Sequence, residues 1–155
     1  PHCDQLNEYP GACQFDGWYW LGFWAGITIE SNDVTLDLNG YTVGMSQAFY
    51  LQQRWFACIS LSNKAFLDGA GPTFMGVGHS TAENVIIKNG NVGLTSHIGI
   101  YGGGVKNLNI YDVHVHSFET HGILFNLFKN IVIENVEIGP SVNGELKLNG
   151  NYNLA

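Results

Sequence analysis

The chain has 155 residues, enough to bury one core, and only 12% of them are charged, with 6 Lys+Arg against 13 Asp+Glu for a formal net charge of −7. That balance lacks the basic surface a phosphate backbone requires, which excludes nucleic acid as the expected partner. No apolar run approaches the roughly 20 residues of a membrane-spanning helix, since the aromatic stretch from Trp18 to Trp24 is short and broken by glycine.

Residues 1–26 match no repeat and read as an aromatic-rich cap or extension. Trp18, Tyr19, Trp20, Phe23 and Trp24 can cover the open end of a stack of strands, an edge that otherwise invites aggregation. Cys3 and Cys13 sit in a polar, irregular stretch where a bridge would staple a loop, and the sequence leaves open whether they pair. Cys58, inside Phe56-Ala57-Cys58-Ile59, reads as a small core residue.

From residue 27 onward short strands are expected. The first are Ile27-Thr28-Ile29, Val34 to Gly40 and Cys58 to Leu61, interrupted by two excursions, Gly44 to Phe56 and Gly69 to Glu83, rich in glycine or polar residues. After residue 83 the pattern becomes strict. Segments opening at Asn84, Asn107 and Asn130 start 23 residues apart, and Asn89, Asp112 and Asn135 keep the same step, as do Val92, Val115 and Ile138. Apolar residues alternate within each unit, as Val113 and Val115 do between Asp112, His114 and His116, which is the period of a strand with one buried face. Such units cannot form a core alone. Stacked about 4.8 Å apart, each pairs with its neighbours above and below. The expected fold is therefore all-β, a single-stranded solenoid of coils of about 23 residues over 27–155. Asn89, Asp112 and Asn135 are expected to form a ladder of side-chain amides at a bend. Asn153-Leu154 falls one further step beyond Asn130-Ile131, so the expectation is a fragment of a longer solenoid.

The string from Ile29 to Val43, Ile-Glu-Ser-Asn-Asp-Val-Thr-Leu-Asp-Leu-Asn-Gly-Tyr-Thr-Val, resembles the opening coil of pectate-lyase-like right-handed parallel β-helix proteins, and the later Asn-Val-x-Ile units look like their generic repeat. The resemblance covers roughly residues 27–155 and implies a right-handed parallel β-helix. It implies polysaccharide as the ligand class, without choosing between enzymes and non-catalytic surface proteins. Ser96-His97-Ile98-Gly99-Ile100 with Val105-Lys106-Asn107-Leu108 is similar to a polygalacturonase segment, but the aspartate motifs that carry acid and base there are missing. Phe118-Glu119-Thr120-His121 looks like the Asp-Pro-His-Glu neighbourhood of alginate epimerases, with the first acid lengthened, the proline lost and Gly122 in place of the final acid.

Stacking by 23 places His114 between Asn91 and Glu137 on one outer face, and His116 between Gly93 and Gly139, where missing side chains would leave a groove. A histidine beside a carboxylate is a candidate general base, and Glu119 and His121 on the following corner extend the catalytic set to His114, His116, Glu119, His121 and Glu137. Against this stands solvation of ordinary outward polar residues. Asn91, Tyr101, Tyr111, Trp18, Trp20 and Trp24 are the candidate sugar contacts, the aromatics because flat rings suit sugar C–H surfaces. A metal site of His114, His116 and Glu137 is possible by residue type, but no ligand spacing is diagnostic of one and no cofactor is expected; Asp37 and Asp68 sit at turns of a type that can hold Ca²⁺, with a structural role the simpler reading.

The expectation from sequence is thus a rigid structural module of a larger extracellular or particle-surface protein that binds polysaccharide or the remainder of its own parent. The alternative is a polysaccharide lyase or C5-epimerase acting on a uronic-acid glycan. Against the enzyme stands the want of basic groups to neutralise uronate, for Arg54 is the only arginine. The oligomeric state and the glycan itself are not legible.

Overall fold

In the computed structural model Val85, Ile87 and Val92 of one long strand and Leu108, Ile110, Val113 and Val115 of the next are buried in one shared core, with Ile131 and Val136 of the third packed against it. The structure describes residues 24–51, 56–61, 66–67, 71–72 and 82–142. Cys3, Cys13, Trp18, Trp20, Asp68 and the Asn153-Leu154 step lie outside the described residues. In chain order the elements are β1 (Trp24–Thr28), β2 (Thr35–Asp37), β3 (Thr42–Val43), a four-residue helical turn α1 (Gln47–Tyr50), β4 (Phe56–Ser60), β5 (Phe66–Leu67), β6 (Gly71–Pro72), β7 (Glu83–Val92), β8 (Ile98–Gly103), β9 (Lys106–Val115), β10 (His121–Asn126) and β11 (Lys129–Ile138). β1 crosses the boundary drawn at residue 26 from sequence. The first excursion holds α1, and within the second β6 pairs antiparallel with β5.

The fold is all-β, with parallel strands in two main sheets. One sheet has the order β1-β4-β8-β10; the other runs β2-β7-β9-β11, with β3 also on β7. From β7 onward the chain alternates between the sheets, and each new strand lies parallel beside the previous member of its own sheet. The 23-residue register is explicit: His121 pairs Ile98, Lys129 pairs Lys106, and Lys106 pairs Glu83.

The register stacks like on like. Val85, Leu108 and Ile131 form one row, Ile87, Ile110 and Ile133 a second, and Val92, Val115 and Ile138 a third. Ile87 and Ile110 are fully buried, whereas Ile133 is 47% exposed, because β11 is the edge of its sheet among the described residues. At about 25 cal/mol per Å² these rows supply the main stabilisation of the stack.

Each long strand is bent where an asparagine or aspartate takes the left-handed conformation, Asn89 (φ 59°) in β7, Asp112 (52°) in β9 and Asn135 (51°) in β11. These residue types tolerate that region better than others because a short polar side chain can bond locally. At this bend Asn135 Nδ2 donates to Asp112 Oδ1, and Asn89 Nδ2 donates to the Asp37 carboxylate at 3.2 Å. A second ladder runs where the strands begin. Asn130 donates to Asn107, Asn107 to Asn84 and Asn84 to Asp33, at 2.9, 2.9 and 2.8 Å, and all four residues have φ between 53° and 59°.

Candidate functional site

Side chains on β7, β9 and β11 that point away from the core are brought side by side by the register. Asn91 pairs His114 and His114 pairs Glu137, as the repeat required. Around the bend these strands leave an open cleft of about 590 Å³ whose polar lining is Asn91, Asp112, His114, Asn135 and Glu137. Its lining residues include two carboxylates and no lysine or arginine. A cleft lined by carboxylates and no cation repels polyanions and suits neutral or cationic ligands.

His114 is half-buried, and its Nε2 lies 2.8 Å from the carbonyl oxygen of Gly139. A carbonyl only accepts, so Nε2 carries the proton and the lone pair of the neutral ring sits on Nδ1. His116 Nδ1 is 3.0 Å from Ser117 Oγ. The two rings stand 4.9 Å apart between centroids, tilted by 37°.

The groove expected on both sides of His116 exists on one side only. At Gly93 an added Cβ would come within 2.0 Å of the His116 carbonyl oxygen, so the backbone that follows β9 fills that space. At Gly139 nothing lies within 4 Å of the equivalent position, and the space there is open. The difference arises because Gly93 follows β7, which has β9 beside it, whereas Gly139 follows β11, the edge strand of its sheet among the described residues.

Glu119 and His121 do not join the cleft lining. His121 is exposed on β10 of the other sheet, in register with Ile98. Glu119 lies in the connection before β10, half-buried, with Oε2 buried and without a hydrogen-bond partner among the described residues. Tyr101 is 5% exposed, packed with Ala57, Ile98 and Leu124, so its ring is not presented to a ligand. The alternation rule missed this because β8 is buried along its whole length, on both faces. Tyr111 is half-buried between Lys88 and Glu134 in register. Trp24 takes its place in β1, paired with Phe56.

The Asp37 oxygens are engaged within the protein by the Asn39 N–H at 2.9 Å, by Asn89, and by Lys88 Nζ at 3.3 Å. The Asn39 amide first, then the Asn89 amide, hold its carboxyl below the ordinary carboxylate range. Cys58 is free and fully buried, and burial pushes its thiol up to about 12, which makes it an inert core residue as expected. No cluster of three His, Cys, Asp or Glu side chains suited to a metal ion occurs among the described residues. None of their helices is long and apolar enough to cross a membrane. No family model, curated protein or solved structure matches this chain.

Proposed function

We propose that the chain is a right-handed parallel β-helix module of the pectate-lyase-like kind, a rigid part of an extracellular or particle-surface protein that holds polysaccharide in the cleft around His114. Support for the architecture comes from the chain-order succession of strands in both sheets and from the 23-residue register. The observation that carries the binding reading is the polar lining of the cleft, with Asn91, Asp112, His114, Asn135 and Glu137 gathered from three adjacent strands. Sugar hydroxyls both donate and accept. An amide, a carboxylate and an imidazole held on rigid strands can meet them at little cost in ordering. The want of a basic lining residue favours a neutral or amino-bearing glycan over a polyuronate.

The test is a glycan array followed by calorimetry on the best binder, repeated with Asn91→Ala and Glu137→Ala. Loss of about fivefold or more in affinity in both variants is expected, because each removes a directional partner worth about 1 kcal/mol or more. Wild-type affinity in both would remove the cleft from the account.

One observation favours a second reading, a lyase or C5-epimerase. The Gly139 carbonyl leaves His114 Nδ1 free to accept a proton, and Glu137 stands beside it in register. That enzyme would produce unsaturated ends absorbing near 235 nm, or C5 inversion visible by NMR, on alginate or polygalacturonate. Neither signal arises if the face only binds.

A further inference from the structure

We propose that His114 and His116 form a two-imidazole site for a single divalent transition ion of the kind that prefers nitrogen ligands, Cu²⁺ or Zn²⁺, at the open end of the cleft beside Gly139. The two residues are i and i+2 on β9, so their side chains leave the same face of one strand. An imidazole nitrogen sits about 2.0–2.1 Å from such an ion with its ring centre about 1 Å further out, so two rings on one ion at a near-tetrahedral angle have centres about 5 Å apart. The observed separation is 4.9 Å.

Metal-binding histidines use one nitrogen for the ion and give the other N–H to a carbonyl, carboxylate or water, which sets the tautomer and the ring orientation. His114 has this arrangement, with Nε2–H donating to the Gly139 carbonyl and Nδ1 left for the ion. His116 has it with Nδ1 at Ser117 Oγ, the tautomer that donates to the hydroxyl leaving Nε2 for the ion. Nothing comes within 4 Å of a would-be side chain at Gly139, so the end of the stack beside the two rings is open to the ion's remaining ligands. Two protein ligands leave the other coordination positions to water or to an oxygen of a bound glycan. The ion would also bring positive charge to a cleft edge whose lining carries Asp112 and Glu137. The site does not depend on glycan binding and stands or falls by itself.

The test is CuCl₂ added to the chelator-stripped protein, read by electron paramagnetic resonance, with ZnCl₂ by calorimetry and MgCl₂ as control. The expected result is one Cu²⁺ per chain with hyperfine structure from two nitrogens, reduced to one in His114→Gln and in His116→Gln, and affinity lower by about tenfold or more in each because the chelate is lost. Both side chains are partly exposed, so these substitutions spare the core. Tight Cu²⁺ binding that persists in the double variant would place the ion on one of the chain's other four histidines and overturn the proposal. A wild-type spectrum without two imidazole nitrogens would overturn it equally.

Discussion

Replacing Asn107 by leucine separates the asparagine ladder from the hydrophobic stack. Asn107 holds φ 53°, donates to Asn84 Oδ1 at 2.9 Å and accepts from Asn130 Nδ2 at 2.9 Å, with its side chain exposed. A leucine there keeps the left-handed backbone at a cost of about 1 kcal/mol. Two exposed hydrogen bonds are also lost, at about 0.5 kcal/mol each. The sum is about 2 kcal/mol, which for a chain of this length lowers Tm by roughly 4–8 °C. Asn107→Gly tolerates the conformation but also lacks the amide, so it should cost about 1 kcal/mol, and the gap between the two variants reads the backbone term alone. Urea denaturation of the three proteins, followed by circular dichroism, gives both numbers. Stability of Asn107→Leu within 0.5 kcal/mol of wild type would refute the reasoning, as would glycine and leucine costing the same.

Ile110→Ala should cost about 2–5 kcal/mol by urea denaturation, and Ile133→Ala roughly half as much, because Ile110 is fully buried and Ile133 is 47% exposed; equal costs would mean that Ile133 is covered. Gly99→Val should destabilise by more than about 2 kcal/mol, since its Cβ would meet the Gly122 carbonyl oxygen at 2.4 Å and Val115 Cγ1 at 2.6 Å, and a folded variant with unchanged Tm would contradict that packing. Asp37 holds its proton less tightly when folded than its ordinary value of 3.8, so its stabilisation is present above that value and lost as pH falls through the lower folded pKa. Tm measured from pH 7 down to pH 2 should therefore show Asp37→Asn less stable than wild type at neutral pH and level with it in acid; a constant gap would sink the assignment.

The register of β7, β9 and β11 is legible in the sequence because three 23-residue units repeat without insertion, and rows such as Ile87, Ile110 and Ile133 then follow by arithmetic. The bend at Asn89, Asp112 and Asn135 is legible for the same reason. Asn84, Asn107 and Asn130 also stand out as markers, but that they bond to one another depends on a left-handed φ that alternation does not encode. The burial of Tyr101 is not legible because periodicity assumes one wet face per strand, whereas β8 is buried on both. The contact of His114 with the Gly139 carbonyl is diagonal, two positions past its register partner Glu137, and follows from a rotamer rather than from spacing. Closure over Gly93 was likewise hidden, since a missing side chain reads as a gap until the neighbouring backbone is placed.

Backbone amide shifts of isotope-labelled protein, followed by NMR as the best-binding neutral glycan is added, test the central claim most directly. The account predicts that the perturbed amides gather at Gly90–Asn91, Asp112–His114 and Asn135–Glu137, the three strand segments that line the cleft, and leave Ile98, Tyr101 and His121 of the other sheet unmoved. Saturable shifts confined to that other sheet, or none with any glycan, would contradict it.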